Sequence, residues 1–375
     1  MQIRSAKLIN FRNYKQLELD FSDRVNIFIG DNGQGKTNLL EAIYLLTSGQ
    51  SFRDITDINT LKSNSDLDSK SLLLCNLTKE TKEFMIKIIL SEKKHIKVND
   101  KLVQTKFLNA HFPTIVFSPD SLEIIKSGSE KRRLLIDQAL TLKSENNATL
   151  LMDYKRALKT RNRILKDLKE EKQPLQVTMK LLDALHESFI PLAVDVSMSR
   201  IQYLKELEKD FNNAIQYILR DKNVDISVDY VISKENHKNS AKNQVTEAIQ
   251  KRMKELLSAE LSTGMTLVGP QRHDINFKFN QNDSRFYCSQ GQQRAIILSF
   301  KVAQIMNYKK SFGFYPLLLL DDVLSELDMT KQSALISFLH EIKTQVFLTT
   351  TDVNLPHLFS MDPLKVFKIK EGQIV

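Results

Sequence analysis

Apolar and polar positions change period twice along this chain. Over residues 2–30 they alternate as in successive strands, Ile3 to Ile9, Leu17 to Phe21 and Arg24 to Ile29, the last reading as a buried strand. Asn38 to Leu46 follows as a helix with one apolar face, and Ser51 to about Lys70 is a polar stretch expected to be surface loop with some helix. Phe84–Leu90 and Ile96–Val98 predict a hairpin with Asn99-Asp100 at a turn before Leu102-Val103. From Asp120 the period becomes helical. Leu150/Leu151, Tyr154, Leu158, Ile164/Leu165 and Leu168 mark an apolar stripe, while Lys155, Arg156, Lys159, Arg163, Lys166 and Lys169 fill much of the remainder, giving an amphipathic basic helix. A second helical pattern runs from Leu175 past Phe211, and Pro191 inside it predicts a kink or a break. A short strand at Asp225–Val231 and a helix from Val245 to Leu261 complete the middle. The last third returns to α/β. It has strands at His273–Phe279, Tyr315–Asp322 and Gln345–Thr351, helices from Ser289 to about Asn307 and from Thr330 to Leu339, and an edge strand at Lys365–Lys370.

The stretch between the third strand and the first helix carries the chemistry. Gly30-Asp31-Asn32-Gly33-Gln34-Gly35-Lys36-Thr37 fits G-x-x-x-x-G-K-[ST] in the strand-to-helix context a phosphate loop requires. Its glycines let backbone N–H groups turn inward, Lys36 offers a cation to the β/γ-phosphates, and the Thr37 hydroxyl can ligate Mg²⁺. Arg12 and Asn13, at the turn after the first strand, could reach nucleotide. A phosphate loop also needs a carboxylate on a neighbouring buried strand, and Leu317 to Asp321 supplies one on the metal side. Asp322 is then the candidate base for the attacking water. Ser289-Gln290-Gly291-Gln292, at a helix N-terminus, presents N–H groups to an anion. This element follows Thr37 by 252 positions (289 minus 37) and precedes Asp321 by 32 (321 minus 289), an arrangement for which phosphate-loop kinases and GTPases have no use.

Composition narrows the setting. No run of about 18 apolar residues occurs, and Met1–Lys7 leads into a strand pattern, so a cytoplasmic protein is expected. Two cysteines far apart in sequence support neither a disulfide framework nor a zinc cluster. A net charge of +9 and pI near 9.2 suit nucleic acid or an anionic surface, and equally a lysine-rich solvated face.

The phosphate loop with Asn38, the Ser289–Gln292 signature, Leu317–Asp322 and Ser325-Glu326-Leu327-Asp328 resemble the ABC-type ATPase heads of the SMC and Rad-fifty class. Leu8–Tyr14, Phe117-Ser118-Pro119-Asp120, Gly269-Pro270-Gln271-Arg272 and the continuation Gln293-Arg294 bring the chain closest to the RecF family of bacterial recombination and replication-gap repair proteins. The resemblance implies an α/β, ABC-type phosphate-loop ATPase lobe, a mixed sheet with helices built from 1–119 and 263–375, plus an inserted mainly helical second lobe over 120–262. It implies ATP and Mg²⁺, a weak DNA-stimulated ATPase acting as a switch, an ATP-dependent homodimer, and double-stranded or gapped DNA as partner. By the same resemblance RecR, acting with RecO, is a partner in loading RecA and supporting the SOS response. Where ABC transporters carry a switch histidine this chain has Thr349-Thr350-Thr351. The rival readings are a transporter's nucleotide-binding subunit and a metabolic kinase. No apolar patch suited to membrane helices is evident in the basic helical middle.

Overall fold

The computed structural model describes residues 1–53, 58–61, 70–360 and 362–375. Most of the polar stretch after Ser51 therefore lies outside the described residues, with Ile58–Leu61 a short 3-10 helix within it. The described chain divides into two compact units, Met1–Glu123 with Ala214–Lys222 and Gln290–Val375, and Ile124–Asn213 with Asn223–Ser289. The strand Asp274–Phe279, grouped in sequence with the C-terminal part of the ATPase lobe, thus belongs by its contacts to the second unit.

The first unit holds two six-stranded sheets. One is an antiparallel sheet in the order Tyr14–Asp20, Gln2–Phe11, Ser71–Lys79, Lys82–Leu90, Lys94–Val98 and Lys101–Leu102. The other, in the order Gln373–Ile374, Leu364–Lys370, Val25–Ile29, Val346–Thr350, Leu317–Asp321 and Thr114–Phe117, is parallel except at its two-residue first strand. Three of the four inner strands, Val25–Ile29, Val346–Thr350 and Leu317–Asp321, are buried at every position, which is why they read as continuous apolar runs rather than alternations. The expected edge strand near Lys365 is one place in from the edge, because the chain turns at Glu371-Gly372 and adds Gln373–Ile374 outside it. Phe28 on the phosphate-loop strand stacks with Phe347 at 6.4 Å and lies 5.3 Å from Phe367, so aromatic packing fixes it against the strands on both sides.

The second unit combines a four-stranded antiparallel sheet centred on Ile226–Ile232 and Asp274–Phe279 with the helices Ser129–Lys143, Glu145–Lys169 and Lys242–Thr263 and most of Leu175–Leu219. Pro191 does not break the last of these, which runs unbroken across it. Phe189, Ala193, Val194 and Val196, all at 1% exposure or less, bury the turns on either side, and that packing outweighs the missing backbone hydrogen bond. Buried charges in this unit are paired: Arg161 makes two bonds to Glu260 at 3.0 and 2.7 Å, and Arg200 two to Asp137 at 2.8 and 2.9 Å.

Candidate nucleotide site

The phosphate-loop strand ends at Ile29, and the helix Lys36–Ser48 starts at the far side of the glycine loop. Gly30 passes so close to the neighbouring strand that a Cβ there would lie 2.3 Å from the Ile369 carbonyl oxygen, and Gly35 sits at φ 110°, where a side chain would strike Asn13. Both positions therefore require glycine for the loop to close. The loop is braced from outside. The Tyr14 hydroxyl donates to the Gly35 carbonyl at 3.0 Å, Asn13 Nδ2 donates to the Gln34 carbonyl at 3.1 Å, and Asn38 Nδ2 donates to Asn13 Oδ1 at 2.9 Å. The C-terminal turn joins in, with the Glu371 N–H on Gln34 Oε1 at 2.6 Å and the Gly372 N–H on the Gln34 carbonyl at 3.1 Å.

Lys36 is 6% exposed and folds back over the loop, its Nζ donating to the carbonyls of Gly30 at 2.5 Å and Asp31 at 2.8 Å. Burial lowers its pKa, opposed by the carboxylates of Asp322, Asp321 and Asp31. The Thr37 hydroxyl donates to Asp321 Oδ1 at 2.8 Å, and the Thr349 hydroxyl donates to the same oxygen at 2.9 Å. Burial raises the Asp321 pKa, and these two hydroxyls pull the other way. The Asp322 N–H donates to Thr349 Oγ1 at 2.9 Å, so Thr349 ties both carboxylate residues to the strand Val346–Thr350. Asp322 itself has φ 50°, a left-handed conformation that costs a non-glycine residue energy, and its Oδ1 is buried without a hydrogen-bond partner.

The residues fit a nucleotide and a divalent cation. A carboxylate and a hydroxyl lie 2.8 Å apart, hard oxygen donors such as Mg²⁺ takes, and the lysine beside them is held only by two loop carbonyls that a phosphate can replace. Arg12 is tied to the helix that follows the loop: its guanidinium makes two bonds, at 3.0 and 2.9 Å, to the fully buried Glu41 and reaches the Thr60 carbonyl at 2.6 Å. Arg53 donates to Asn38 Oδ1 at 3.1 Å and lies 3.7 Å from Glu41. Glu41, Thr349 and Arg53 carry no local sequence signal for this cluster: Glu41 is one polar position on an otherwise apolar helix, and Thr349 the first of three threonines.

Ser289 and Gln290 are exposed at the start of the helix Gln290–Phe312, with Gly291 and Gln292 following in its first turn. Arg294, one residue beyond Gln293, pairs with Glu326 at 2.6 Å and donates to its carbonyl, joining the signature helix to the turn after the carboxylate strand. Lys155, Arg156, Lys159, Arg163, Lys166 and Lys169 are exposed on the helix Glu145–Lys169. Both cysteines are free, and no helix among the described residues is long and apolar enough to cross a membrane.

The RecF/RecN/SMC N-terminal domain model matches residues 2–374. The DNA replication and repair protein RecF of Staphylococcus carnosus is 34% identical over the full length of both chains. Among solved structures, the recombination mediator protein RecF-ATP of the RecFOR pathway superposes with a TM-score of 0.87 at 30% identity, covering 100% of this chain and 97% of that one. An SMC head bound to the C-winged helix domain of ScpA, 13% identical with a TM-score of 0.54, shares the fold.

Proposed function

The chain belongs to the RecF family within the RecF/RecN/SMC N-terminal group, and from that premise we propose that it is an ATP-switched DNA-binding protein of DNA replication and recombinational gap repair. The observation that carries this reading is the cluster of Lys36, Thr37, Asp321, Asp322 and Thr349 in a chain that matches an ATP-bound relative along its whole length. The transporter alternative is not favoured, because the similarity to RecF proteins covers both units.

Lys36 and the backbone N–H groups of residues 30–38 bind the phosphates, and Thr37 with Asp321 holds Mg²⁺. The metal, when bound, neutralises charge on the phosphate oxygens. Asp322 takes the proton from the attacking water through the carboxylate oxygen that the fold leaves without a partner. Aspartate is one methylene shorter than the glutamate common at this position in ABC heads, so turnover is slow. Ser289 and Gly291 act in trans on the nucleotide held by a second copy, which makes ATP the glue of a homodimer with two composite sites. The dimer holds double-stranded or gapped DNA through phosphate contacts, drawing on the exposed cations of Glu145–Lys169, and DNA stimulates hydrolysis. We assign RecR, acting with RecO, as its protein partner, and the cytoplasm as its setting.

Sedimentation with and without ATP tests the core of this reading. ATP shifts the parent to a dimer and adds none to a Ser289→Arg variant that still binds nucleotide. A Ser289→Arg protein that dimerises like the parent contradicts the trans role.

A further inference from the structure

Large apolar side chains left in water are usually scattered singly, and two adjacent rings at high exposure call for a partner. Phe286 and Tyr287 are 77% and 72% exposed, against 41% for the next most exposed aromatic residues, Tyr217 and Phe312. They lie three and two residues ahead of Ser289, in the single helical turn Ser284–Tyr287. That turn is pinned. Asp283 accepts from the Arg285 N–H at 3.0 Å, the Arg285 guanidinium pairs with Asp283 at 2.6 Å and Asp274 at 3.1 Å, and its Cζ stands 5.3 Å from the centre of the Phe286 ring. The guanidinium covers one face of Phe286 and holds the ring in place while the other side stays in solvent.

The phosphate loop has the opposite deficiency. Of the rings flanking it in sequence, Phe11, Tyr14, Phe21 and Phe28 are 8% exposed or less, Tyr14 spends its hydroxyl on the Gly35 carbonyl, and the partly buried Tyr44 and Phe52 pack edge-on against each other at 5.8 Å. None of them is open to solvent as Phe286 and Tyr287 are. Nucleotide sites without base readout commonly gain affinity from an aromatic face, since every base has a flat π-surface. Cys288 is extended between Tyr287 and Ser289, so the chain runs about 7 Å from the end of this turn to the signature, within the span of a nucleotide.

We infer that Phe286 and Tyr287 form the base platform of the composite site, covering in trans the nucleobase and sugar of the nucleotide whose phosphates sit in the partner copy's phosphate loop. This rests on the ATP-joined dimer proposed above and adds to it the source of base contact. The phosphates are read by the loop of one copy, and the base is covered by the chain that precedes the other copy's signature.

The chain contains no tryptophan, so Tyr287→Trp introduces a single fluorescent reporter at the platform. Its emission should be quenched by ATP in step with the dimer fraction measured by sedimentation across a range of protein concentrations, and should not change in a Tyr287→Trp/Ser289→Arg protein that binds ATP as a monomer. A Phe286→Ala/Tyr287→Ala protein should need roughly ten- to a hundredfold more ATP for half-maximal dimerisation, with nucleotide binding to the monomer unchanged. A dimer that forms without quenching, quenching that is complete in the monomer, or a double variant with the parent's ATP dependence overturns the platform. If the parent forms no dimer with ATP at all, the dimer reading itself fails, and the platform with it.

Discussion

Two clusters of buried charge, one in each unit, are treated differently. In the second, Glu260 is 0% exposed and its carboxylate takes both Arg161 bonds together with the Leu267 N–H, while Asp137 closes on Arg200 in the same bidentate way. Around the phosphate loop of the first, among the described residues, Lys36 is held by carbonyls, Asp321 by hydroxyls, and one oxygen of Asp322 by no hydrogen bond. A carboxylate closed on a guanidinium has little capacity left for a ligand, whereas an under-satisfied charge is stabilised when one arrives. The contrast separates charges that hold a fold together from charges kept ready for chemistry.

The sharpest way to break that comparison is to remove one member from each side. Glu260→Ala strands the Arg161 charge and should cost about 3–5 kcal/mol in urea unfolding. Lys36→Ala should cost less than about 1 kcal/mol while abolishing ATP binding, so equal losses for the two variants would erase the distinction.

Lys301 sharpens the same contrast within the first unit. It is 6% exposed in the helix Gln290–Phe312, and burial pushes its pKa down to about 8 from an ordinary 10.5. The unfolded chain therefore holds this proton more tightly than the folded one, and the penalty is fully present below pH 8 and relieved as pH rises from 8 to 10.5. Lys301→Met should stabilise the protein at pH 7 by on the order of 1–3 kcal/mol, with the gain shrinking towards pH 10. No gain at pH 7 would mean that the amine is satisfied in place.

The smallest effect concerns His273 in the second unit, which is fully enclosed and paired with Tyr230 at 2.9 Å. Burial, reinforced by Arg200, His237 and Arg133, drives its pKa well below 6.5, so it stays neutral in the fold while the unfolded chain takes up a proton. Stability should fall as pH drops below 6.5, by up to about 1.4 kcal/mol per pH unit from this group, and a His273→Phe variant should show a correspondingly flatter acid limb in thermal unfolding.

Much of the ATPase lobe was legible because its signals are local. Leu317 to Leu320 reads as a strand buried on both faces, and the glycine loop needs only its two flanks to be recognised. The remainder depends on distant residues. Arg161 and Glu260 stand 99 positions apart, and Gln34 meets Glu371 across 337, so neither contact has a period or spacing to betray it. Thr349 reaches the site only because its strand lies between Val25–Ile29 and Leu317–Asp321, a sheet order that the sequence does not state. Pro191 breaks no helix for the same reason, since buried neighbours on both sides decide whether a helix runs on past a proline.

The central claim is that the charges around the loop divide into ground-state binders and a base, and Asp322→Asn separates them. The substitution keeps the shape and the neighbouring Asp321, and asparagine tolerates φ 50° better than most residues do, so the fold should lose nothing. The measurement is single-turnover ATP cleavage recorded beside DNA retention. The account predicts that Asp322→Asn binds ATP, dimerises and stays on DNA while cleavage falls roughly a hundredfold or more, on the scale of a lost general base. Cleavage at the parent's rate would place the base elsewhere and contradict the reading of this site.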